Sequence, residues 1–341
     1  MNFIDQPINP LPYIRNDMQK SIVGIDISKK DFTVSLLREQ KHSVRSFQNH
    51  REGYEKLLAW LKELQVTPDI FCMEATGSYG EALADFLYAH DHHVSVVNPF
   101  QIKSFAHTLL KRHKTDKVDC KVIAYYAERF EPAPYIPLDP NIKELRQLYR
   151  CALALNKHLT GFRNRLEHRD RLCDEVTACW DDMIAQAEQK LLVIQQRMTE
   201  LVRISQSTQQ DFDHLQTIPG IAKKTALALL AELPDITMFD NARQLAAFAG
   251  LTPRHCTSGT SLQRKARISK VGSATLRKAL FLPAITAKNH NPVMKAFAQN
   301  LAEKGKPAKV IIAAIMRKLL HIVFAIIKHK IPFNPHFQLA N

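Results

Sequence analysis

The sequence predicts an α/β domain followed by a mainly helical remainder, and three observations predict it. Short apolar runs alternate with amphipathic stretches from 21 to 130, as in strands and helices layered around one sheet. Prolines at 132, 134, 137 and 140 then break the pattern, because prolines so closely spaced cannot continue a helix. From Asn141 to about Ser205 there is no proline and one glycine, Gly161, and apolar residues recur at alternating steps of three and four.

In chain order, the apolar run from Ile22 to Leu37 predicts strand, broken by a turn at Lys29 to Asp31, with His42 to Gln48 pairing beside it. Arg51 to Leu64 places Tyr54, Leu57, Leu58 and Leu61 on one helical face. Asp69 to Met73 reads as strand, Tyr79 to Ala89 as helix, His93 to Val97 as strand, and Gln101 to Leu110 and Asp116 to Phe130 as helices. The later seam runs through Leu145, Leu148, Ala152, Leu155, Leu159, Phe162 and Leu166, then Ile184, Ala187, Leu191, Ile194, Met198 and Leu201. It fits a two-helix hairpin within one chain and a coiled coil between chains equally well. The expected layout is a leader (1–20), an α/β domain (21–131), a helical oligomerisation segment (141–208) and a C-terminal domain (211–333).

A chain of 341 residues, 45% hydrophobic, can bury a core. Its formal net charge of +14 favours a polyanionic partner, with nucleic acid first. The six cysteines form no C-x-x-C pair, so neither a zinc ribbon nor a disulfide framework is indicated, and they read as reduced thiols of a cytoplasmic protein. The N-terminus lacks the basic-then-apolar pattern of a signal peptide. Val310 to Ile327 is very apolar but carries Arg317, Lys318 and His321 near its centre, which predicts a buried helix and no membrane span.

Four acidic residues carry the chemistry. Asp26 interrupts the apolar run 21–28, where a carboxylate is costly to bury unless paired or metal-bound, and Glu74 ends another apolar run. Asp116 and Asp119 are three apart on a predicted helix and share a face. Convergent carboxylates suit hard divalent cations such as Mg²⁺ or Mn²⁺, which assist displacement at phosphorus. Any single Asp or Glu is far more often a cap or surface charge; the set is what raises the odds. Just before the last pair, Lys111, Arg112 and Lys114 form a basic run suited to a nucleic-acid backbone.

Two further features point the same way. Leu215 to Leu230 resembles a helix-hairpin-helix, in which Pro219-Gly220 would bring backbone N–H groups, Lys223 and Lys224 to a phosphate, although the same turn also fits a plain link between two helices. The stretch 250–280, read as a loop after Leu-Thr-Pro-Arg, mixes Ser258, Thr260 and Ser261 with Arg254, Arg264, Lys265, Arg267, Lys270 and Arg277, which fits either a DNA clamp or a serine nucleophile.

Together these motifs resemble the DEDD-type insertion-sequence transposases related to the Piv/MooV DNA invertases, which include bridge-RNA-guided serine recombinases. The resemblance rests on Val-Gly-Ile-Asp-Ile-Ser-Lys (23–29), Met-Glu-Ala-Thr-Gly-Ser-Tyr (73–79), Lys-Thr-Asp-Lys-Val-Asp (114–119), Ile-Pro-Gly-Ile (218–221), Gly-Leu-Thr-Pro-Arg (250–254) and Ser-Gly-Thr-Ser (258–261). It implies a RuvC-like, RNase H-like first domain whose tetrad falls on Asp26, Glu74, Asp116 and Asp119. It further implies a C-terminal transposase domain with Ser258 as nucleophile, a dimer or tetramer, DNA as substrate, and a guide RNA in part of the family. A hydrolytic RuvC-like nuclease, an invertase without a guide, and a binding scaffold with a decayed tetrad are the competing readings.

Overall fold

The computed structural model describes residues 20–75, 77–109, 116–258 and 262–335. The chain divides into two compact units, at Pro137/Leu138.

The first unit contains β1 (Ile22–Ile27), β2 (Asp31–Arg38), β3 (Lys41–Gln48), α1 (Arg51–Glu63), β4 (Ile70–Glu74), α2 (Ser78–Ala89), β5 (Val94–Val97), α3 (Pro99–Thr108) and α4 (Asp116–Phe130). The sheet order is β3-β2-β1-β4-β5. β1, β2 and β3 form an antiparallel meander, while β4 and β5 run parallel to β1. β1 is central, so both its faces are covered and its sequence is apolar on both. Val23, Ile25 and Ile27 join Phe71 and Met73 in one core with Leu57, Leu61, Leu83 and Leu87 of α1 and α2. On the opposite face Ile22, Ile70 and Cys72 pack with Ile102 of α3 and Val122, Ile123 and Ala127 of α4. The outer edge of β5 is closed by the segment after α4: Tyr135 N donates to Val94 O at 2.7 Å, and Ser95 Oγ donates to Pro132 O and Ala133 O.

The second unit contains α5 (Pro140–Arg165), α6 (Asp174–Ile204), α7 (Gln206–Gln216), α8 (Lys223–Glu232), α9 (Ala242–Phe248), β6 (Pro253–Ser258), β7 (Leu262–Ile268), α10 (Ala274–His290), α11 (Pro292–Glu303) and α12 (Ala308–His329). Asp139 caps α5 by accepting from Asn141 N and Ile142 N, with Pro140 at the first turn. α5 and α6 pack antiparallel, with ion pairs Arg197–Glu144 at 2.9 Å and Arg163–Glu188 at 2.5 Å at the two ends of the pairing. Within one chain, then, the heptad seam closes a hairpin. Its base, Leu145, Met198, Leu201 and Val202, shares a core with α7 to α12. Arg150 of α5 grips the buried Glu232 of α8 through two hydrogen bonds at 2.9 and 3.1 Å.

One expectation needs correction here. The hydroxyl-and-cation stretch expected as a loop is an antiparallel β-hairpin, β6 with β7, irregular between Arg254 and Cys256. The alternation that marks a strand is absent from its sequence because cations and hydroxyls occupy both sets of alternate positions. α12 is the buried helix expected of Val310 to Ile327: although long and apolar enough to cross a membrane by length and composition, it buries Ile311, Ile315, Leu319, Leu320 and Val323 in the second unit's core.

Candidate active site

β1 and β4 run parallel with Ile25 beside Met73, so the next residues, Asp26 and Glu74, stand side by side. Both belong to the sheet face that carries Ile22, Gly24, Ile70 and Cys72, the face covered by α4. Both are half-buried. Across β1 the register continues to Thr33, whose hydroxyl is 3.0 Å from that of Ser46, so a polar row crosses this face from β3 to β4.

α4 reaches this row because β1 has no side chain at Gly24. A Cβ built there would lie 2.3 Å from Cys120 O and 2.4 Å from Ala124 N. The helix backbone therefore rests directly on the strand. Asp116, Asp119, Cys120 and Ile123 fall on one stripe of α4, with Cys120 and Ile123 fully buried and Asp119 half-buried. The Cys120 thiol is pushed up to about 12, by burial first and by the negative charge of Asp26 second. It stays protonated and offers no thiolate, so the charged donor atoms along this row are carboxylate oxygens, which fit a hard divalent cation. Among the described residues, no three His, Cys, Asp or Glu side chains stand close enough together to hold a metal. The side chain of Asp116 lies outside the described residues.

The remaining predicted residues are dispersed. Lys111, Arg112 and Lys114 lie outside the described residues, as do the side chains of Arg254, Ser258, Arg264, Lys265 and Arg267. The Ser258 backbone ends β6 opposite Leu262. Lys223 and Lys224 are exposed on the first turn of α8, and with Arg203, Gln195, Gln196 and Thr199 of α6 they line a groove of about 570 Å³. The turn before α8 serves packing: Gly220 has φ +105°, and a Cβ there would lie 2.9 Å from Pro283 O and 3.0 Å from Ala287 Cβ on α10. Lys270 is exposed with φ +55°. Arg277 instead holds backbone, its Nη1 donating to Ala249 O at 2.9 Å and Gly272 O at 3.1 Å. Sequence reasoning overlooked Gly24 and Cys120; a glycine inside an apolar strand was the available signal for a close backbone approach.

Comparison with known proteins bears on this arrangement. Residues 23–169 match a DEDD domain family described as "Transposase", and residues 213–299 match one described as "Transposase IS116/IS110/IS902 family". The chain is 34% identical over 320 residues to the pilin gene-inverting protein of Moraxella bovis, covering 93% of this chain and 98% of that one. It belongs to the IS110 family of DEDD transposases and invertases. More distant relatives include a probable family 20 transposase of Pseudomonas aeruginosa, 25% identical over 93% of this chain and 100% of that protein. The transposase for insertion sequence element IS1111A of Coxiella burnetii is 24% identical over 79% and 78%. The sheet order and the α4 contact with β1 are the form that the DEDD domain takes in this member of the family.

Proposed function

We propose that this protein recombines DNA by breaking and rejoining phosphodiester bonds with a carboxylate tetrad, Asp26, Glu74, Asp116 and Asp119, and a nucleophilic serine, Ser258. The observation that carries the reading is the neighbouring placement of Asp26 and Glu74 on the face covered by the helix of Asp116 and Asp119. The tetrad would hold Mg²⁺ or Mn²⁺ through its carboxylate oxygens. When bound, such a cation neutralises charge on the scissile phosphate and favours ionisation of a nearby hydroxyl.

The chain's own groups do the rest. Asp26 is fixed by β1 and Glu74 by β4, so rigid strands set the spacing of two oxygen donors. The buried, protonated Cys120 and the apolar residues flanking the row keep water from much of it. In the serine step the Ser258 Oγ loses its proton and bonds to phosphorus, while the bond to the leaving nucleotide oxygen breaks and that oxygen takes up a proton. The phosphodiester energy is kept in the protein–DNA ester, so reversal onto another end needs no nucleoside triphosphate. The cations of β6 and β7, with Lys223 and Lys224, are assigned to the DNA backbone, and Lys111, Arg112 and Lys114 to either DNA or a guide RNA. Pairing of chains, through outward residues of the helical hairpin such as Leu192 and Val193, would let one chain's tetrad serve another's serine.

The test uses the full chain, Mg²⁺ and DNA bearing the element's junction. Asp26→Ala abolishes all cleavage, whereas Ser258→Ala abolishes the covalent protein–DNA product. Recombination surviving in Ser258→Ala ends the serine assignment and returns the protein to hydrolytic chemistry. Sequencing of copurifying RNA tests the guide.

A further inference from the structure

Outside the regions assigned above, the second unit carries a cluster of cations for which the described residues supply no counter-charge. Arg317, Lys318 and His321 lie within little more than one turn of α12, and Arg243 projects from α9, which packs against it. Among the described residues, neither Arg243 nor Arg317 has an ion-pair partner, and Lys318 rests over the Phe297 ring at 4.5 Å. Arg317 Nε and His321 Nε2 are out of solvent with no hydrogen-bond partner among the described residues. A donor buried without an acceptor destabilises the free protein. Three cations act on His321: its pKa is lowered by burial first, then by Arg317, Arg243 and Lys318.

Helices that gather three permanent cations around a histidine hold them at an energetic cost in the free protein. An arriving anion would relieve that repulsion, and a guanidinium from each of two helices suits the oxygens of one phosphate. Arg243 is exposed and Arg317 half-buried, so the cluster opens to the surface on the α9 side. We propose that Arg243 and Arg317, supported by Lys318 and His321, form a phosphate-binding site for a nucleic-acid backbone. The site is independent of the tetrad and serine chemistry above, and it assigns a second role to a helix whose charges otherwise only argue against a membrane span.

The test measures binding of the full chain to duplex DNA and, separately, to single-stranded RNA. It is run in chelator across a salt series, so that failure of the metal reading leaves it untouched. Arg243→Gln/Arg317→Gln should weaken binding regardless of base sequence and reduce the slope of log affinity against log salt by about two, roughly one per lost contact. Loss with only one polymer identifies the source of the phosphate. Unliganded, the double variant should melt no lower than wild type, because repulsion has been removed. Should it fail to fold, Arg243→Gln alone, at an exposed position, must reduce the slope by about one. Unchanged slopes with both polymers overturn the proposal. So does a thermal shift with inorganic phosphate that the variant loses while its nucleic-acid slopes stay unchanged, since the site would then serve a free anion.

Discussion

Gly24→Ala is the sharpest probe of how the first unit presents its carboxylates. The added methyl carbon would sit 2.3 Å from Cys120 O and 2.4 Å from Ala124 N, where ordinary contacts begin near 3.4 Å, so α4 must retreat by about 1 Å. Overpacking of this kind costs about 1–3 kcal/mol. With a domain stability of about 5–15 kcal/mol, nearly all molecules remain folded. Yet the retreat carries Asp119 away from Asp26 and Glu74, and a misplacement of about 1 Å costs roughly 100-fold in a positioned reaction. The assay pairs urea unfolding with the Mg²⁺-dependent cleavage rate on the same preparations. The expected result is a modest fall in unfolding midpoint with a rate loss near two orders of magnitude. Wild-type cleavage by a folded Gly24→Ala protein would refute the argument that α4 must touch β1 for the carboxylates to act together.

Two further outcomes are expected in the second unit. Arg150→Ala leaves the Glu232 carboxylate, 4% exposed, without its bidentate partner; a buried pair broken this way costs about 3–5 kcal/mol, but with the Arg150 side chain 54% exposed, solvent screening reduces this to about 1–2 kcal/mol, read from the urea midpoint. His321 has a folded pKa below the ordinary histidine value of 6.5, so the unfolded chain binds its proton first as pH falls. Stability from this group is full above pH 6.5 and declines below it, by up to about 1.4 kcal/mol per pH unit until the folded pKa is reached. His321→Ala should therefore flatten the unfolding free energy measured between pH 7.5 and 5, and an unchanged slope would contradict the lowered value.

Much of the secondary structure was legible because its signals are local. Alternation and apolar runs located the five strands of the first sheet, and the helix expected from Asp116 to Phe130 has those same limits. Tyr54, Leu57 and Leu61, placed on one face by spacing alone, are buried together. The hairpin of β6 and β7 was not legible, since its cationic sequence carries no burial pattern. Nor was the fate of Arg277: as sequence it resembles the other cations of its stretch, and only the fold brings Ala249 O and Gly272 O to its guanidinium.

By itself the sequence supplied the candidates for the chemistry: an aspartate stranded in an apolar run, a glutamate ending another, and a pair of aspartates one helical turn apart. It could not decide which of them become neighbours, because strand order and helix placement depend on contacts far apart in the chain. The tertiary structure decided that β1 lies beside β4 and in register with it, that a missing side chain at Gly24 admits α4 to that face, and that the base of the helical hairpin belongs to the C-terminal core. The physical reason is the same in each case: close packing is a property of surfaces brought together, and no single segment encodes the surface it will meet.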